Sequence, residues 1–247
     1  MATASIGVVP HEATRAPSYQ YAHWYFITAL VATVVGFWPS FFSRLGETDV
    51  WHSIHGITAT LWIVALATQS WLMSRGLVRS HRRVAIAALL LLPVIVLSAL
   101  YMVRLVLTNT RIPPLPPAMI AFIDLPSVGF LVVLVILALA NRRTPEAHKR
   151  FMSATVLLGL PPALTRLYVR VLFPGIGAAN AFQASLLSVE LMLLALIAVD
   201  WRAGERRLAY PLSLAFFLCV HAVIRPVSSS GAWHSAMDWY VSPPIFR

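Results

Sequence analysis

The chain has 247 residues, of which 59% are hydrophobic and only 11% charged, and its formal net charge is +10. A soluble domain carries about 25% charged residues, so this deficit sets the chain in a membrane. Its basic residues fall in short clusters between apolar runs, the pattern of topology signals, which excludes a nucleic-acid-binding domain. A single cysteine, Cys219, excludes an intrachain disulfide, a cysteine-ligated zinc and a thiolate-held cluster.

Residues 1–21 are rich in Ala, Ser, Thr and Pro and read as a polar tail without the apolar core of a signal peptide. Apolar runs then follow at 22–42, 51–74, 83–107, 118–140, 149–172, 178–200 and 209–226. The first opens on an aromatic cluster, His23-Trp24-Tyr25-Phe26, suited to a headgroup interface. The prolines of the segment 109–117 exclude a regular helix there and predict a stiff loop. The tail 227–247 holds Trp233, Trp239 and Tyr240 and reads as interfacial. The expected fold is an all-α, polytopic transmembrane bundle of about seven spans, forming one domain over 22–226 with core helices in 51–172. With the amino terminus cytoplasmic, the inner segments hold 12 of the 19 Lys and Arg residues. The positive-inside rule therefore puts the amino terminus in and the carboxyl terminus out, as expected of a multi-pass protein of a bacterial cytoplasmic membrane.

Two stretches share a layout. His55 opens one apolar run, which ends in a basic turn at His81-Arg82-Arg83. Asp124 opens another, which ends at His148-Lys149-Arg150. After each basic turn comes a run broken by proline (Pro93; Pro161 and Pro162) and closed by arginine (Arg104; Arg166 and Arg170). This reads as two copies of one helix pair, with Asp124 standing where His55 stands.

Charges inside spans are costly and mark a pathway, a cofactor or an internal pair. His52, His55, Arg104, Asp124, Arg166, Arg170, His221 and Arg225 sort to the outer half, and His23, His81 and His148 to the inner half. Glu190 stands almost alone about halfway along the sixth span, where it reads as a proton relay or polar-ligand anchor, or equally as a partner of a serine, Gln183 or a neighbouring arginine. Asp124 and Arg166 are expected to pair in an outer polar cavity that also draws on Arg170 and Glu190, with Arg104 and Arg170 snorkelling to headgroups. A haem b iron held by two histidines needs them at one depth on different helices. His55 with His221, as metal ligands, and His81 with His148, as a second cofactor-binding pair, meet the depth condition. Against that, an imidazole beside two basic residues at a helix start also serves as a cap or a lipid-phosphate contact. His52 and His55 share a helical face, which by itself is a weak metal signal. The only lysine, Lys149, sits outside the seventh span, which excludes a retinal Schiff base there.

His55-Gly56, Gln69, His81-Arg82, His148-Lys149-Arg150-Phe151-Met152 and Arg166 resemble the pattern of a family of uncharacterised bacterial integral membrane proteins built on repeated helix pairs. The resemblance covers roughly 50–170 of the chain, and Val84 follows His81-Arg82-Arg83 where that family usually has glycine. Such proteins are similar in layout to four-helix b-type cytochromes and to proteins of respiratory-oxidase assembly, which implies haem or electron-transfer biology. Three functions stay open: haem-b electron transfer or haem handling, an accessory or assembly subunit packed against other membrane-protein subunits in the lipid bilayer, and a small-ligand or lipid carrier.

Overall fold

The computed structural model describes residues 21–108 and 115–242. The expected polar tail up to residue 20, most of the proline-rich loop and residues 243–247 lie outside the described residues. Among the described residues the chain is all-helical: α1 Ala22–Phe37, α2 Val50–Ser74, α3 Val78–Thr108, α4 Pro117–Ala140, α5 Pro145–Leu167, α6 Ala178–Arg202, α7 Ala209–Ser228 and α8 Gly231–Val241. A 3-10 turn, Phe42–Arg44, precedes α2, and a π-helical turn, Tyr168–Leu172, continues α5.

Local chemistry explains the boundaries. Asp49 caps α2, its Oδ1 accepting from the Trp51 and His52 amides at 3.0 and 3.1 Å. Gly76, at φ +68°, closes α2 in the left-handed conformation, and the Leu77 amide returns to the Leu72 carbonyl at 2.9 Å. Gly204, at φ +77°, ends α6 the same way, with the Glu205 amide on the Asp200 carbonyl at 2.9 Å. Pro117 and Pro145 stand at the first position of α4 and α5, where a missing N–H costs nothing.

Six helices, α2 to α7 with the π turn joined to α5, are long and apolar enough to cross a membrane. The chain is therefore a polytopic membrane helical bundle. The first expected span is corrected: it ends at Phe37 instead of 42, because Pro39 has no N–H to continue the ladder. At 16 residues α1 rises about 24 Å, short of the roughly 30 Å hydrocarbon core. The two basic turns are shorter than expected, since α3 starts at Val78 and α5 at Pro145. His81 and His148 thus each occupy the fourth residue of a helix.

Sequence neighbours pack as antiparallel pairs, and α5 is the hub, packing against α4, α1, α6 and α7. One core cluster lies among α4–α7, including Leu134, Phe151, Leu186 and Phe217, and a second joins α1, α2 and α3 to α4 and α5 through Trp62, Ile95, Val135 and Val156. The Trp62 indole donates to Thr155 Oγ1 at 3.0 Å, tying α2 to α5. The two hairpins match in detail. Gln69 of α2 meets His81 of α3 with its amide nitrogen at Nδ1 and its oxygen on the Ala85 amide. In the other hairpin His148 Nδ1 donates to the Ala138 carbonyl of α4 at 2.8 Å. Ala138 follows Asp124 at the distance along the chain at which Gln69 follows His55.

Turns 75–77, 141–144 and 203–208 gather at one end, the arginine-rich end. At the opposite end α8 lies across α3 and α4. Its Met237 is buried with Val103 and Ala121, the Trp233 indole donates to the Ala118 carbonyl at 2.9 Å, and the Tyr240 hydroxyl donates to the Leu100 carbonyl at 2.7 Å.

Candidate functional site

Three sets of polar groups tie the helices α4 to α7 together among the described residues. The first joins α6 and α7 in the half nearer α8. Gln183 and Glu190 are two turns apart on one face of α6, so both side chains reach the same point on α7. There they clamp His221, whose Nδ1 lies 2.8 Å from Glu190 Oε1 and whose Nε2 lies 2.6 Å from Gln183 Oε1. Glu190 is 5% exposed. With oxygen acceptors at both ring nitrogens, both bonds form when the pair holds a proton, either as imidazolium and carboxylate or as neutral imidazole and carboxylic acid. On the other side of α6, Ser185 accepts from Thr165 at 3.0 Å and Ser188 meets the Tyr168 hydroxyl at 2.7 Å, linking α6 to α5 and its π turn. Single π turns inside helices gather at functional sites.

The second set joins α4, α5 and α1. The His148–Ala138 bond fixes the register of α4 against α5. Asp124 precedes Ala138 by the interval at which Pro162 follows His148, so Asp124 and Pro162 share a depth in the antiparallel pair. The Pro162 carbonyl accepts from Arg166 Nη1 at 3.0 Å, which holds the guanidinium at that same depth. Arg166 also lies over the Phe37 ring at 4.3 Å from its centroid. Asp124 and Arg166 are half-buried and within Coulombic reach, yet Asp124 takes part in none of the ion pairs or hydrogen bonds of the described residues. The direct contact between them is therefore not made.

The third set lies at the arginine-rich end. Arg150, fully buried, sends Nε and Nη2 to the two oxygens of Asp200 at 2.6 and 2.8 Å, and Nη1 to the Glu146 carboxylate and carbonyl, both at 2.7 Å. Lys149 adds a contact to Glu146 at 2.6 Å. This clasp closes α5 against α6.

The expected residues distribute over these sets unevenly. Glu190 does not stand alone, since it bonds to His221. His81 and His148 are within electrostatic reach of one another at the arginine-rich end. His55 and His221 are not partners: α2 packs on α3, α1 and α5, whereas α7 packs on α6, α4, α5 and α8. His55 Nδ1 meets Ser98 Oγ at 3.2 Å. His52 turns away from His55 to Asp49, an acidic partner three residues upstream. Arg170 is exposed on the π turn. Arg104 anchors α8 through the Val241 carbonyl at 2.6 Å in place of the expected snorkelling. Near it, burial pushes the Tyr240 phenol up while the Arg104 guanidinium pulls it down. At the rim of α2, burial of Asp49 acts upward on its carboxyl, and the His52 and Trp51 amides together with the His52 ring outweigh it, leaving it below the usual range.

A haem iron needs two free imidazole nitrogens facing across a gap. His221 has both nitrogens engaged, and the Gln69 amide nitrogen at His81 Nδ1 puts that ring's proton on Nε2, the nitrogen a metal would take. Of the four, His148 and His55 have the orientation of a ligating histidine, with Nδ1 on the Ala138 carbonyl and on the Ser98 hydroxyl, whose own hydrogen goes to the Ile95 carbonyl. Neither pair fits the group. No cluster of three metal-ligating side chains occurs among the described residues.

Asp200 and Glu146 were not singled out by the sequence. Asp200 is legible in hindsight: it ends α6 at the depth where Arg150 begins α5, and a short connection makes those helices neighbours. Comparison with protein-family models, curated proteins and solved structures finds no match to this chain.

Proposed function

We propose that the protein is a proton-coupled carrier for a small polar solute, with its working centre in the half of α4–α7 nearer α8. The observation that carries this reading is His221 clamped between Glu190 and Gln183 deep in apolar helices. A buried ionisable pair in a membrane is expensive and marks a functional site. With an acceptor oxygen at each ring nitrogen, removing a proton from the Glu190–His221 pair leaves one of the two hydrogen bonds without a donor. Loss of the proton and a change of partner at Gln183 thus go together. Two further features support a carrier. The polar groups of α4–α7 gather in one half while the Arg150 clasp closes the other, and prolines interrupt α3, α4, α5 and α7 where helices bend.

Proteoliposomes filled with a pH-sensitive dye test the reading. Addition of a transported solute outside should shift the internal pH, and Glu190→Gln and His221→Ala should abolish the shift. A pH response indifferent to both substitutions, or a reduced-minus-oxidised haem band in the purified protein, overturns it.

A further inference from the structure

Asp124 and Arg166 present opposite charges at one depth without touching. Their helices pack, and the His148–Ala138 bond sets them level. The guanidinium is steered by the Pro162 carbonyl and the Phe37 ring, so it is fixed from behind and its remaining N–H groups are open to a further acceptor. The Asp124 carboxylate is half-buried and takes no hydrogen bond from a described residue. An acceptor and a donor array held apart, each wanting a partner, suit a solute that brings a donor to one and an oxygen pair to the other.

We propose that this gap is a binding site for a small zwitterion, its ammonium on Asp124 and its carboxylate on Arg166. The identification rests on the carrier reading for its purpose and on the Asp124–Arg166 geometry for its chemistry. Net charge selects the class. Asp124 and Arg166 sum to zero. A solute with net charge would leave one charge uncompensated in a poorly hydrated site, whereas a zwitterion leaves none. The Arg166 fork matches a carboxylate in two parallel bonds, and Phe37 covers its face. Arg170, exposed on the next turn, is within Coulombic reach of Arg166 and adds positive field at the carboxylate end of the site.

The test uses the full chain in detergent at constant ionic strength, with alanine as the zwitterion and propionate and ethylamine as its two halves. The readout is the shift in unfolding temperature with probe concentration. Alanine should stabilise the protein, and each half should bind about 10- to 100-fold more weakly, as expected from losing one charge-assisted hydrogen bond. Asp124→Asn should weaken alanine to the level of propionate, and Arg166→Met should weaken alanine and propionate together. Arg166→Lys keeps the charge and loses the fork, so it serves where Arg166→Met fails to fold, with an intermediate loss. Binding is read here without transport, so alanine stabilisation with no proton response would overturn the carrier reading alone, and a proton response with no alanine stabilisation would overturn this site alone. Equal stabilisation by propionate and alanine would make this an anion site. No stabilisation by any of the three would leave a water-bridged ion pair only. Either result overturns the proposal.

Discussion

Each nitrogen of the Arg150 guanidinium donates a hydrogen bond, Nε and Nη2 to Asp200 and Nη1 to Glu146, and none of its surface meets solvent. Removing one member of such a set strands a charge, which costs about 3–5 kcal/mol, whereas removing both charges costs much less than the sum. Arg150→Met and Asp200→Leu should each lower stability by roughly that amount, and the double substitution should cost less than the two added together. Denaturant unfolding in detergent reads this, and additive losses would contradict the clasp. A second residue-scale constraint needs no charge. Gly36 of α1 lies against α5 so closely that a Cβ would come within 2.4 Å of the Ala163 carbonyl oxygen, a backbone atom that cannot rotate away. Gly36→Ala should therefore destabilise by about 1–3 kcal/mol. Gly129, inside α4, has open space where its Cβ would be, and Gly129→Ala should be neutral or slightly stabilising. Equal effects at the two glycines in a thermal-shift comparison would remove the α1–α5 close contact.

At the scale of elements, α8 is held by its own side chains: the Trp233 indole, the Tyr240 hydroxyl and Met237 reach α3 and α4, and Arg104 returns a bond to its last turn. Trp233→Ala should free α8 for rapid hydrogen exchange and leave α4–α7 protected, because the bundle core does not include it. Uniform deprotection of all helices would show instead that α8 belongs to one cooperative unit with the core. The cap of α2 gives a pH signature with a defined sign. Asp49 is held below its ordinary range when folded, so its contribution is present above the unfolded value of about 3.9 and fades as pH falls through the lower folded value. The exposed capping bond makes the effect modest, and Asp49→Ala should cost about 0.5–2 kcal/mol near neutral pH and progressively less below pH 4. A loss in Asp49→Ala that does not shrink in acid would place the effect elsewhere than the carboxylate. The helices themselves were legible from apolar runs, because that signal is local, whereas Pro117 was read as loop and instead begins α4. The polar partners were less so. Depth along a helix follows from counting residues, which set His55 and His221 at a similar level, but neighbourhood depends on the order of helices around the bundle. That order separates α2 from α7 and brings Gln183 and Glu190 onto His221.

For the whole molecule, the distribution of polar groups makes the two ends unequal. Asp124, Arg166 and His221 lie nearer the end that carries α8, while the arginine-rich end carries an ion set in which Arg150 and Asp200 are buried and Glu146 and Lys149 are half-buried. Such a set excludes water because each of its charges already has a partner inside. Solvent should thus reach the middle of the bundle from the α8 side alone. In a Cys219→Ser background, Asp124→Cys should react with a membrane-impermeant thiol reagent in vesicles exposing the α8 end and stay unreacted in vesicles of the opposite orientation. Arg75→Cys, in a turn at the arginine-rich end, should show the reverse and so report the orientation of each preparation. Adding Asp200→Asn weakens the bidentate bond to Arg150, and labelling of Asp124→Cys from the arginine-rich side should then rise. If that labelling is already present with the clasp intact, the clasp is not the seal. If it stays absent with Asp200→Asn in place, the barrier lies elsewhere, in the apolar packing of Leu134, Leu186 and Leu193 between the two polar sets.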